Sequence, residues 1–150
     1  MKKLIQTMAA QLHNNWAEEQ RATGLTKRIK VLLENGKWIN KGDEGDNIVQ
    51  KEQDILNTPY EKLDPHWQAE NLAAAEVAVV LASKLPENPS DEDINGAAAE
   101  VHEKWIERND WVKNPEYGDP KLAADYKNLP VEEQAKDIAQ IKIALEILAG

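Results

Sequence analysis

Two histidines each stand three positions before a tryptophan: His13 and Trp16 in "MAAQLHNNW", His102 and Trp105 in "AAAEVHEKW". The chain holds three His and five Trp in 150 residues, so one pairing met twice at an offset of 89 carries information. On a helix, residues three apart share a face. Each copy therefore sets an imidazole beside an indole. An indole can stack on a flat aromatic ligand, at roughly 1–3 kcal/mol per stacked base, and the π face accepts any base. The imidazole would add a polar contact. The competing reading is structural: both tryptophans continue apolar stripes, and a histidine one turn earlier can bond a backbone carbonyl or a carboxylate.

A phosphate-bearing ligand needs Arg or Lys, and a guanidinium fork grips phosphate with two bonds. Arg21 and Arg108 follow the two tryptophans, at +5 and +3. Lys27, Arg28 and Lys30 are further anion candidates, crowded in a short basic island. Tyr60 and Tyr126 occupy matching Pro/Leu turns and suit packing, capping or ligand contact, as do Trp38 and Trp111. Trp67 has Glu133 as its counterpart and reads as a packing residue. No metal site is expected, since the chain has no Cys, no His-x3-His and no calcium-loop pattern in "GDEGDN". No cofactor is called for either. Walker, dinucleotide-binding, nucleophile-elbow and His-Glu-x-x-His motifs are all missing, so the chain reads as a non-enzyme.

These residues need elements to position them. Ile5, Ala9, Leu12 and Trp16 lie at spacings of 4, 3 and 4, one face of a helix. At an offset of 89 they become Ile94, Ala98, Val101 and Trp105. Further on, "YEKLDPHWQAENLAAAEVAVVLA" (60–82) parallels "YKNLPVEEQAKDIAQIKIALEIL" (126–148) at an offset of 66. The offsets differ by 23, so the first copy carries that many extra residues, most of them around the basic island. The pattern predicts two copies of one helix–irregular–helix unit. Long helices are predicted over 2–22, 66–84, 91–109 and 131–148. Pro65 and Pro130 suit first turns, and Asp64 and Ser90 suit N-caps. A shorter helix is predicted over 24–34, stopped at Asn35-Gly36, with 40–47 a loop. No strand is predicted. The expectation is an all-α fold: repeat 1 over 1–84 with a basic insert about 17–50, a hinge over 85–93, and repeat 2 over 94–150.

Hydrophobic residues make up 41% of the chain, but Phe is absent and aromatics reach only 5%, so the core must be aliphatic. The absence of cysteine fits a reducing, cytoplasmic setting. No apolar run reaches the roughly 18 residues of a membrane span. Net charge is −9, which argues against a membrane-surface or general nucleic-acid binder. The basic island, residues 23–42, holds five cations against Glu34, and the rest of the chain is correspondingly acidic.

The ordered set in each copy resembles the ryanodine-receptor (RyR) repeat. That set is an Ala-rich helix with His-x-x-Trp, a Trp with a Gly element, a Pro/Tyr/Leu turn, then a closing helix. The second copy carries it through "AAAEVHEKW", "DWVKNPEYGDPKLAADYKNLP" and "VEEQAKDIAQIKIALEILAG"; the first through "MAAQLHNNW", "GKW" and "NTPYEKL". In two places it departs from the family. Trp111 is separated from Tyr117-Gly118, and the element at Trp38 lacks its Tyr. The resemblance implies two pseudo-twofold helical repeats forming a non-catalytic module. It further implies a nucleotide-derived small molecule held between the repeats, or at a subunit interface of a homo-oligomer, with Trp16 and Trp105 near the base. Free-standing members of bacterial or phage type suggest sensing or sequestration of a nucleotide signal, as in a counter-defence sponge. The alternative function is an acidic protein-interaction module, including a DNA-mimicking inhibitor.

Overall fold

The first helix ends at a glycine, and the chain beyond it overturns part of the expected fold. The computed structural model describes residues 2–113 and 120–150, apart from the side chains of Asp110 and Trp111. Helix α1 (Lys2–Ala22) stops at Gly24, whose φ of 97° is in the left-handed region that glycine adopts freely. From there the chain runs extended into β1 (Ile29–Leu33), turns at Asn35-Gly36 into β2 (Trp38–Asn40), and returns as β3 (Val49–Asp54). The three strands form an antiparallel sheet in the order β2-β1-β3. The fold is therefore not all-α; it combines helices with this small sheet. The predicted helix over 24–34 is replaced by β1 for a local reason. Ile29, Val31 and Leu33 alternate at period two, and Val31 and Leu33 are buried. Asn-Gly between two such runs is a hairpin signal. Leu32 faces Trp38 and Lys51, and Lys30 faces Asn40 and Gln53.

The four long helices fall close to the predicted spans. Helix α2 covers Pro65–Ser83, α3 Asp91–Arg108 and α4 Val131–Ala149. Asp64 accepts from His66 N at 3.0 Å as α2 begins. Ser90 and Asp93 form a reciprocal capping box at the start of α3. Pro65 opens α2, and Pro130 stands one residue before α4. Short 3-10 turns at Tyr60–Lys62 and Tyr126–Asn128 precede α2 and α4 in matching positions.

Backbone contacts divide the chain into two compact units, residues 9–71 and residues 1–8 with 72–150. The sheet lies wholly within the first. In the second, α3 packs on α4 through Ala97, Val101 and Ile141, with Val77, Leu81, Ile94 and Leu145 around them. The repeat offset survives as burial: Ala75 and Ile141, and likewise Ala78 and Ala144, are each 0% exposed. No helix among the described residues is long and apolar enough to cross a membrane.

Candidate functional site

Both histidines of the repeated pair are buried, each 5% exposed. His13 Nε2 donates to the carbonyl of Thr58 at 2.8 Å, and His102 Nε2 donates to that of Ala124, also at 2.8 Å. Donation to a carbonyl requires the proton on Nε2. Thr58 and Ala124 are themselves 66 residues apart, so the two repeat offsets meet in one bond made twice. Each imidazole stacks on its own indole: His13 on Trp16 at 5.8 Å, His102 on Trp105 at 6.3 Å. A second bond recurs at the same turns. Gln68 donates to the Tyr60 carbonyl at 2.9 Å and Gln134 to that of Tyr126 at 2.8 Å. The histidines thus tie the first helix of each copy to the irregular segment, and the glutamines tie that segment to the last helix.

In the first copy this tie borders an open cleft of about 390 Å³, lined by His13, Asn14, Arg21, Asn57, Thr58 and Pro59 among others. Arg21 is exposed in the last turn of α1 and donates through Nη2 to the Leu56 carbonyl at 2.9 Å and to Asn57 Oδ1 at 3.4 Å. Asp54 organises the wall behind it. Its carboxylate accepts from Arg28 N, Leu56 N and Asn57 N at 3.0, 3.1 and 3.3 Å, and from Asn57 Nδ2 at 2.6 Å. Burial raises the Asp54 carboxyl, but these bonds together outweigh it and hold it below the usual carboxylate range. Sequence reasoning passed over Asp54, although an Asp ahead of Asn and Thr is an Asx-turn signal. A separate cleft of about 300 Å³ lies at the hairpin end, beside Leu33, Glu34, Asn47 and Ile48.

Beside its histidine the second copy carries an acid. Asp137 of α4 brings Oδ2 within 3.8 Å of His102 Nδ1, where the first copy has Asn71. Burial pushes the Asp137 carboxyl up to about 6, opposed by His102 and reinforced by Glu133. Tyr126 donates its hydroxyl to Asn95 Oδ1 at 2.8 Å. Burial raises both tyrosine hydroxyls above the usual range, that of Tyr60 together with Glu61 and that of Tyr126 together with Asp137. Arg108 is exposed in the last turn of α3. Trp111's side chain, Tyr117 and Gly118 lie outside the described residues.

Trp38 belongs to a cluster the sequence did not foretell. Its ring lies 6.0 Å from His66 and 5.6 Å from Trp67. Lys51 sits over Trp38 and Lys30 over Trp67, each at 5.8 Å. Gln53 and Lys51 of β3 bond Asp64, and Gln53 also bonds the Lys62 carbonyl. Trp67 packs, as expected, and its partner is the inserted sheet, which has no match among the described residues of the second copy. Arg28 lies over Trp16 at 5.9 Å. Among the described residues no group of three His, Cys, Asp or Glu side chains could hold a metal.

No family model matches the chain, and no curated protein or solved structure is significantly similar to it. Function must then be sought in the internal geometry.

Proposed function

We propose that the protein is a non-catalytic tandem of RyR-like repeats that binds a nucleotide-derived small molecule in the cytoplasm, and that the first repeat carries the working cleft. The observation that supports this is the cleft beside the His13–Thr58 bond, whose volume of about 390 Å³ lies in the range of small-molecule sites. Its wall presents the amide of Asn14, the carboxylate of Glu18 and the guanidinium of Arg21, which has five donors and commits one nitrogen to protein acceptors, while the Asn57 amide is already bonded to Thr26, Asp54 and Arg21. Arg21 and Asn14 suit an anionic group of the ligand, and Glu18 suits a hydrogen-bond donor beside it. Binding itself would be the output, as expected of a sequestering protein.

The test is a thermal-shift screen of mono-, di- and cyclic nucleotides against wild type, Asn14→Ala and Arg21→Met. A ligand at 100 times its dissociation constant adds about 2.7 kcal/mol. The expected result is a shift with one nucleotide class that weakens in both variants, with the ligand recovered intact after denaturation. A shift with none of them would overturn the proposal. It would favour the acidic interaction module, whose partner affinity would fall with salt.

A further inference from the structure

Residues 28 and 30 lie on the same face of one extended strand, because side chains alternate along it. Arg28 continues the β1–β3 register, since its carbonyl accepts from Ile55 N at 3.0 Å, one step beyond the Ile29–Asp54 pair. Both cations are half-buried. Each is held over an indole, Arg28 over Trp16 at 5.9 Å and Lys30 over Trp67 at 5.8 Å. Two nearby cations are paired: Lys41 with Glu52 at 3.1 Å, and Lys51 with Asp64. Neither Arg28 nor Lys30 enters an ion pair among the described residues. Burial and the neighbouring Arg28 lower the Lys30 ammonium below its usual range, and Asp43 only partly offsets them. In a chain of net charge −9, two adjacent braced cations without a bridging carboxylate form a local positive site.

We infer that Arg28 and Lys30 form a seat for a phosphoryl group, distinct from the cleft beside His13. Each cation is braced on its own indole, so an oxyanion meets two ordered side chains rather than ordering two free ones. Trp16 already carries His13 and Arg28, and Trp67 carries Lys30 on its face with Trp38 and His66 in edge contact. The seat therefore reads the phosphate and not the base. The second copy shows no counterpart to the sheet among its described residues and holds Glu133 where Trp67 would stand, so the seat belongs to the first copy.

The experiment is calorimetric titration of the full chain with pyrophosphate and, separately, with ADP. It is run on wild type, Arg28→Met, Lys30→Met, Lys37→Met and Asn14→Ala. Pyrophosphate is expected to bind saturably at millimolar concentration. Arg28→Met and Lys30→Met should each weaken it about tenfold or more, as removal of one charge-assisted bond does. Lys37→Met, an exposed cation at the hairpin turn outside both sites, should leave it unchanged. Equal affinity for the two probes shows that any phosphoryl group is sufficient; much tighter ADP binding that is still lost in both Arg28→Met and Lys30→Met overturns the reading of phosphate alone. In wild type, side-chain NMR signals of Arg28 and the indole N–H signals of Trp16 and Trp67 should move with pyrophosphate, a readout independent of variant folding. No saturable heat, or unmoved Arg28 and indole signals, overturns the inference. A nucleotide shift lost in Asn14→Ala while pyrophosphate still binds separates this seat from the cleft.

Discussion

A buried imidazole that donates to a backbone carbonyl is a tie, and removing it has a cost that can be stated. His102→Ala takes away the 2.8 Å bond to the Ala124 carbonyl and the packing of the ring on Trp105. The lost bond and the void together should cost about 2–3 kcal/mol. His13→Ala removes the equivalent bond to Thr58 and should cost a similar amount. Urea denaturation should show the midpoint falling with its slope unchanged in both variants. An unchanged midpoint would mean that the histidines hold nothing together. The two bonds explain why His-x-x-Trp is written twice: the imidazole closes each copy, and the indole roofs it.

The sheet and α2 depend on one another. Trp67 has no counterpart in the second copy because its contacts, Trp38 and Lys30, belong to the inserted strands. Trp67→Glu, which copies Glu133, removes the indole from that cluster and sets a second acid close to Asp64. The variant should lose about 2–4 kcal/mol, scaled down from a full core Trp because the ring is half-buried. Near-ultraviolet circular dichroism should lose the Trp38–Trp67 signal while helix content stays, and retention of that signal would refute the docking role. The same region marks the limit of sequence reading. The helices were legible because their apolar stripes repeat at helical spacing and their caps at Asp64 and Ser90 are local. The pairing of His13 with His102 was legible from spacing alone. The sheet was not, because the alternation of Ile29, Val31 and Leu33 spans only five residues, too short to separate a strand from a turn of helix. The bonds to Thr58 and Ala124 were beyond reach, since nothing in the sequence says which carbonyl a buried imidazole meets.

Across the whole molecule, titrating groups pull stability in opposite directions, and the balance fixes a pH profile. Asp54 and Asp64 have depressed carboxyls, Asp64 chiefly through its bond with Lys51. Their contribution is present above the ordinary carboxylate value and is lost as pH falls through their folded values. Asp137 is the reverse case. Its carboxyl is raised from 3.8 to about 6, so the folded state holds a proton that the unfolded chain gives up earlier. Stability from this group therefore falls as pH rises through the window between 3.8 and about 6. Net charge works in the same sense, because the chain approaches neutrality near pH 4.9 and self-repulsion grows above it. Thermal unfolding measured from pH 3 to 8 should thus peak on the acid side of neutrality and fall on both sides. Asp137→Asn places in the second copy the residue that the first copy already has at Asn71. It should raise stability at pH 7, leave it nearly unchanged near pH 4, and flatten the decline between them. A variant whose profile runs parallel to wild type across that window would show that the Asp137 carboxylate bears no burial penalty, and that the difference between the two copies at this position is without energetic consequence.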